Sequence, residues 1–241
     1  MTYIKEYVDK KVIELMLFSD NCAGQNKNNT AVRMNMALVD SGRFKKIQQI
    51  FPMRGHSFLP CDRAFGIIKR SLRRKERLYS VQELMKLIVS SSRQSDFFTV
   101  HLVSGEHVTE FKKWWVQHFK KTALSLETKD RRIPRTEKVS FSISKFHHLT
   151  FKKIGCDVPV KAQEFIDGLT KHTFLLKIRP QITVSLPNEP AYGPRQLCIN
   201  AKKMQDLKKC VQFVPEDEKI KFWDEILQWP TAENVEDEEL D

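Results

Sequence analysis

Two aspartates in unusual polar segments are the strongest candidates for chemistry in this chain. Only Ser19 separates Asp20 from the apolar run 12–18, and Asp20 opens a polar turn that contains glycine. A carboxylate at the end of a buried strand, followed by such a turn, is how many α/β folds present a catalytic or metal-binding side chain. About forty residues later, the segment 55–66 contains His56 near its start and Asp62 near its end.

Asp20 and Asp62 together predict a site for Mg or Mn. Such hard cations take oxygen ligands, and pairs of them activate the attacking and leaving oxygens in phosphoryl transfer. In that reaction His56 would orient a water molecule or contact the scissile phosphate. Two carboxylates alone rarely hold both ions. The plainer alternatives stay open, because Asp20 could instead form an Asx turn and Asp62 could cap the following helix.

The charge of the chain points to a polyanionic partner. The 241 residues carry a net charge of +11, and six acidic residues lie among the last eleven. Without those six acids, 41 basic residues face 24 acidic ones, a net charge of +17. A body this basic favours a polyanionic partner, most often nucleic acid. The acidic tail is expected to be disordered and to compete for the basic surface.

The basic residues cluster most densely just after Asp62, on one predicted helix. Phosphate contacts by such a cluster would make binding strongly salt-dependent, although a solvated helix face is the alternative. Lys27, in the amide-rich turn after Asp20, is a further candidate for phosphate contact. Trp114 and Trp115 lie among lysines and could stack on bases, but helical spacing favours a core position for Trp115, together with Phe111 and Phe119. The predicted nucleic-acid-binding residues are Lys27, Lys69, Arg70, Arg73, Arg74 and Arg77, with Lys75 in the same cluster.

The pattern of the first 95 residues is that of an α/β unit. The run 12–18 predicts a strand, Thr30 caps a predicted helix over 31–39, and 44–52 predicts a second strand. Asp62 opens an amphipathic helix with Phe65, Ile68 and Leu72 facing inward, and Ser80 caps a third helix through about residue 90.

The second half predicts a mixed α+β region over 96–230, before an acidic tail over 231–241. Helices are expected at 110–119, 201–211 and 216–227, and a charged loop at 129–137. Strands are expected at 97–103, 139–143, 173–178, 181–186 and 197–199. The fold class predicted for the whole chain is therefore α/β, with a partial core over 1–95 followed by the mixed region.

Two motifs carry a resemblance to a known family. The residues Ser19 to Asn28 read S-D-N-C-A-G-Q-N-K-N, and Gly55 to Gly66 read G-H-S-F-L-P-C-D-R-A-F-G. The pair resembles the hallmark motifs of an uncharacterised, transposon-derived protein family. The first 80 residues also resemble the C-terminal half of an RNase H-like (DDE-type) transposase or integrase core. The resemblance implies that Asp20 is the second catalytic carboxylate and that the later helix brings a third to the same site.

Two departures from that resemblance argue against catalysis. Only 19 residues precede Asp20, too few for the strands that carry the first catalytic aspartate in such cores, so the chain looks like a fragment or a domesticated remnant. Lys69 also stands where the family commonly has an acidic residue. We therefore expect a transposon-derived DNA-binding protein with an inactive core. The alternatives are an active metal-dependent nuclease that needs a missing segment or partner, and a protein-interaction module.

The remaining features set the cellular context. No run of about 18 apolar residues predicts a membrane span, and the N-terminus lacks the apolar region of a signal peptide. The five scattered cysteines fit free thiols better than disulfides. The expected location is intracellular, and a DNA partner would place the protein in the nucleus.

Overall fold

The structure is a computed structural model and describes residues 2–53, 59–127, 135–192 and 198–233. The helices are α1 Thr2–Glu6, α2 Asn29–Asp40, α3 Pro60–Leu72, α4 Val81–Ser90, α5 Phe111–His118, α6 Ala201–Cys210, α7 Glu216–Glu218 and α8 Asp224–Leu227. The strands are β1 Glu14–Phe18, β2 Lys46–Ile50, β3 Phe119–Glu127, β4 Arg135–Val139, β5 His148–Lys152, β6 Val160–Gln163, β7 His172–Lys177, β8 Ile199–Asn200 and β9 Thr231–Ala232. A π-helical turn, Lys219–Trp223, joins α7 to α8.

The chain divides into two compact units, each built from two separate segments. The first unit comprises Met1–Leu59 and His107–Ala191, and the second comprises Pro60–Glu106 and Tyr192–Asp241. The sequence predicted consecutive regions that meet near residue 95. The structure instead places the division at three crossings of the chain, because segments that are distant in sequence pack together.

A seven-stranded sheet forms the first unit. Its strand order is β1-β2-β5-β6-β7-β3-β4. The β1–β2 pair is parallel, with α2 as its crossover, and every other neighbouring pair is antiparallel. The described residues are α/β, as the sequence predicted.

The core of the first unit lies between α2 and the sheet. Val32 and Met36 of α2 are buried with Ile47 of β2 and with Leu149 and Phe151 of β5. Ile47 lies opposite Phe151 in the β2–β5 register. Burial of such side chains stabilises the fold by about 1.5–3 kcal/mol each.

An ion-pair cluster is buried in the same unit. Lys177 and Asp40 each have side chains that are 1% exposed, and Lys177 Nζ donates to Asp40 Oδ2 at 2.7 Å. The same ammonium donates to the carbonyl oxygens of Pro180 and Cys156. Asp40 Oδ2 also accepts from the Val184 amide at 2.7 Å, and Lys153 Nζ lies 3.0 Å from Oδ1. The cluster, which we call the Asp40 cluster, ties the end of α2 to β7 and to the segment after it.

Several predicted elements are confirmed and others are wrong. Strand β7 and helices α4, α5 and α6 lie where they were expected, and Ser80 caps α4. Helix α2 is capped by Asn28 instead of Thr30. No strand forms over 97–103 or 181–186, and 139–143 contributes only Val139 to a strand. Residues 135–137 of the predicted loop lie in β4, and residues 231 and 232 of the predicted disordered tail form β9, so both predictions are wrong there. The rest of that loop and residues 234–241 of the tail lie outside the described residues.

Candidate nucleic-acid interface

The first motif folds into a loop that its own side chains hold together. Asp20, directly after the Ser19 that follows β1, is exposed, and its Oδ1 accepts from the Cys22 amide at 3.2 Å and from Asn26 Nδ2 at 2.8 Å. The Cys22 carbonyl accepts the amides of Gln25, Asn26 and Lys27. An acceptor two residues before the donating amide is an Asx turn. One oxygen of Asp20 therefore serves the loop, and Oδ2 has no hydrogen-bond partner among the described residues.

Lys27 is part of the loop's attachment to the core. Lys27 is only 6% exposed. Its Nζ donates to Asn21 Oδ1 at 2.9 Å and lies 5.1 Å from the centre of the Phe51 ring. Asn21 Nδ2 in turn donates to the Pro52 carbonyl. This geometry supports a structural role for Lys27 instead of a contact with nucleic acid.

Asp62 lies in the first turn of α3, which begins two residues earlier at Pro60. Asp62 therefore does not cap the helix; a carboxylate in the first turn is stabilised by the helix dipole instead. Asp62 belongs to the second unit and Asp20 to the first. His56 lies outside the described residues. Among the described residues, no three His, Cys, Asp or Glu side chains group closely enough to hold a metal ion.

The densest positive charge lies on α3 and the turn after it. We call this set the α3 basic surface; all of its members are exposed, and they are Lys69, Arg70, Arg73, Arg74, Lys75 and Arg77. Within the part of the chain that the structure describes, no ion pair or side-chain hydrogen bond engages any of the six. Arg77 lies over the Phe213 ring at 5.1 Å.

The opposite face of α3 is only partly buried. Ile68 and Leu72 are half-buried as predicted, but Phe65 is 58% exposed, so the prediction that it faces inward was wrong. No residue of α3 is fully buried. This helix therefore contributes more surface than core.

The segment that follows the basic surface is held firmly within the second unit. Ser80 Oγ accepts from the Glu83 amide at 3.3 Å, and Glu83 Oε2 accepts from the Tyr79 amide at 2.7 Å. Ser80 is therefore the N-cap of α4, and Glu83 holds the residue before the cap. Trp223 Nε1 donates to the Tyr79 carbonyl at 2.9 Å.

The two adjacent tryptophans are partly buried against the core of the first unit, a position that the helical spacing predicted for Trp115. Trp114 Nε1 donates to the Ser185 carbonyl at 2.9 Å, and Arg33 stacks 3.6 Å over the Trp115 ring. Burial lowers the pKa of Arg33 to about 10. Arg33 covers one face of the Trp115 ring, and the Trp114 ring packs against Phe111, His118 and Phe119.

Two further predictions can be compared with the structure. All five cysteines are free thiols, as expected. Among the described residues, no helix is long and apolar enough to cross a membrane.

Comparison with known proteins identifies the family. No curated protein and no solved structure matches the chain. Residues 4–147, more than half of the 241 residues, match the family described as Domain of unknown function (DUF7869). The matched region includes both motifs and the whole α3 basic surface. The chain therefore belongs to the DUF7869 family.

Proposed function

We propose that the chain is a transposon-derived DNA-binding protein that contacts the DNA backbone through the α3 basic surface. The observation that carries the proposal is the set of six exposed cations on that surface, none of which is paired with an acid in the described residues. The six cations lie close together and repel one another. A negatively charged ligand is therefore attracted by all six of them at once. Phosphates spaced along a nucleic acid supply that charge.

Binding of a duplex oligonucleotide at several salt concentrations tests the proposal. The test variant replaces Arg70, Arg73, Arg74 and Arg77 with alanine. The control variant removes four cations from α6, also in the second unit and also exposed: Lys202, Lys203, Lys208 and Lys209. Both variants lose the same charge, so any difference between them reports position and not net charge.

The wild type and the control should bind with similar affinity and a steep salt dependence. The slope of log K against log salt should be less steep in the α3 variant by up to about 3–4, since each phosphate contact contributes about 0.9 to that slope. Equal losses in both variants would show that only net charge matters and would contradict the proposed surface. Binding that ignores salt would favour the protein-interaction module instead.

The transposase-type origin is supported by the arrangement around β1. Asp20 follows the end of β1, which pairs in parallel with β2 through a helical crossover, as the resemblance to an RNase H-like core implies. We propose that this core is no longer catalytic, because Lys69 replaces an acidic residue of the family motif and one oxygen of Asp20 serves the loop. Incubation with supercoiled plasmid and Mg²⁺ or Mn²⁺ should produce no nicking.

The alternative function is metal-dependent cleavage of phosphodiesters, with Asp20 and Asp62 as ligands and His56 at the scissile phosphate. One observation favours it: Asp20 is exposed and its Oδ2 has no partner among the described residues, so it could accept a cation. Titration calorimetry with Mg²⁺ and Mn²⁺ on the wild type, Asp20→Asn and Asp62→Asn tests it. Binding that both substitutions abolish, together with nicking, would replace our proposal with this one.

A nuclear location follows from a DNA partner. Imaging of a fluorescent fusion in intact cells tests this consequence. Exclusion from the nucleus would make genomic DNA an untenable partner.

A further inference from the structure

A cavity of about 300 Å³ lies between the end of α3 and the end of α4. Three arginines and three serines dominate its lining: Arg70, Ser71, Arg74, Ser91, Ser92 and Arg93. All six lie in the second unit, and no acidic side chain of the described residues lines the cavity. The lining is therefore strongly positive and rich in hydrogen-bond donors.

The three guanidinium groups are available to a ligand. None of Arg70, Arg74 and Arg93 forms an ion pair or a side-chain hydrogen bond with another described residue. Each guanidinium presents five N–H donors in a planar fork, which suits the oxygens of phosphate. Three such charges around one cavity repel one another until an anion enters.

The serine hydroxyls differ in what they can donate. Ser91 Oγ already donates to the Ile88 carbonyl at 2.7 Å. Ser92 Oγ accepts from the Gln94 amide at 3.1 Å, which leaves its own proton free. Ser71 makes no side-chain hydrogen bond within the described residues. Ser71 and Ser92 can therefore donate to a ligand, whereas Ser91 would have to give up its present bond.

We propose that this cavity is a binding site for one phosphate group, held by Arg70, Arg74 and Arg93 with donors from Ser71 and Ser92. Three cations exceed what a single carboxylate would balance, and the number of donors matches the several oxygens of a phosphate. Arg70 and Arg74 also belong to the α3 basic surface, so the site is continuous with the surface assigned to DNA. We take the backbone of DNA as the source of this phosphate group, and that choice rests on the proposed function. A free phosphate compound offers the same chemistry to the cavity.

Titration of ¹⁵N-labelled protein with inorganic phosphate, at ionic strength matched with sodium chloride, tests the site directly. The cavity variant replaces Arg70, Arg74 and Arg93 with alanine. The control variant replaces Lys202, Lys203 and Lys208 of α6, and it loses the same charge from exposed positions outside both the lining and the α3 basic surface. Amide signals of Ser71 and Ser92 should shift saturably in the wild type and the control, and the cavity variant should lose affinity about tenfold or more.

The serine variants separate a formed site from diffuse positive charge. Ser71→Ala and Ser92→Ala should each weaken phosphate binding a few-fold, because each removes one donor to the anion. Ser91→Ala should leave it unchanged. Circular dichroism and thermal unfolding establish that each variant is folded. Equal phosphate affinity in the cavity and control variants, or a wild type with no saturable shift, overturns the site.

Competition identifies where the phosphate comes from. If inorganic phosphate and a duplex oligonucleotide displace each other, the ligand is a backbone phosphate. If phosphate binds while DNA binding proceeds unaffected, the site serves a free phosphate compound. The phosphate titration needs no DNA, so failure of the proposed function, seen as absent salt-dependent DNA binding, is distinguishable from failure of the cavity.

Discussion

Lys177 of the first unit and the α3 basic surface of the second unit use positive charge in opposite ways. In the first unit, Lys177 is 1% exposed and its ammonium makes three hydrogen bonds, one of them to Asp40. In the second unit, the α3 basic surface is exposed and none of its members has an acidic partner among the described residues. The net charge of this chain therefore combines cations with different roles. Some cations stabilise the fold, and others are left for a ligand.

Removal of Lys177 should produce the largest effect on stability. Lys177→Ala leaves the buried Asp40 carboxylate without its closest partner and should lower the free energy of unfolding by about 3–5 kcal/mol. Urea denaturation measures this change. Lys161→Ala, an exposed position on β6, is the control and should change the free energy by no more than about 0.5 kcal/mol.

Impaired DNA binding by folded Lys177→Ala protein would contradict the separation between the cation that stabilises the fold and the cations that bind DNA. Below the unfolding transition, its oligonucleotide affinity should equal that of the wild type. A loss of stability no larger than that of Lys161→Ala would show that the Asp40 cluster contributes little.

The Asp40 cluster also predicts how stability depends on pH. Burial would raise the pKa of Asp40, but hydrogen bonds from Lys177, Val184 and Lys153 and the charge of Lys177 hold that pKa below its ordinary value of 3.8. A carboxyl with a lowered pKa contributes stability that is present above the unfolded pKa and is lost as the pH falls through the folded pKa. Asp40→Asn should therefore unfold more easily than the wild type at pH 7, with the gap narrowing below about pH 4.

Urea denaturation of both proteins at pH 7, 5, 4 and 3 measures this gap. A gap that stays constant across the series would show that the charge of Asp40 is not what stabilises the fold.

Lys27 tests the boundary between the two uses of cations. Its ammonium donates to Asn21 and lies over Phe51, yet the sequence predicted contact with nucleic acid. Lys27→Met keeps the aliphatic stem and should lower the free energy of unfolding by about 1–2 kcal/mol through the lost hydrogen bond and ring contact. DNA affinity should be unchanged. An affinity loss comparable to that of the α3 variant, without a loss of stability, would restore the original prediction.

The sequence predicts best those features that depend on neighbouring residues. The N-cap residue Ser80 places the start of α4 correctly, because cap and helix are adjacent in the chain. The amphipathic character of α3 places its cations on the exposed side. Both features need only a few consecutive residues to form.

Features that depend on residues distant in the chain cannot be predicted from a local sequence pattern. The apolar run 97–103 has the composition of a strand, but no described strand lies beside it, so its backbone forms none. Conversely, β3 is a strand because it pairs with both β4 and β7, which a local pattern cannot show. The burial of Lys27 depends on Phe51, and the cavity depends on Arg93 of a different segment from Arg70.

The smallest effect on stability is expected from the α3 basic surface itself. Replacing Arg70, Arg73, Arg74 and Arg77 with alanine removes no ion pair, and it relieves repulsion between like charges. Only the contact of Arg77 with Phe213 is lost, which at an exposed site is worth about 0.5–1 kcal/mol. The free energy of unfolding should therefore change by no more than about 1 kcal/mol, while DNA binding falls steeply. A large loss of stability would mean that these arginines hold the second unit together, and the comparison between the two units would fail.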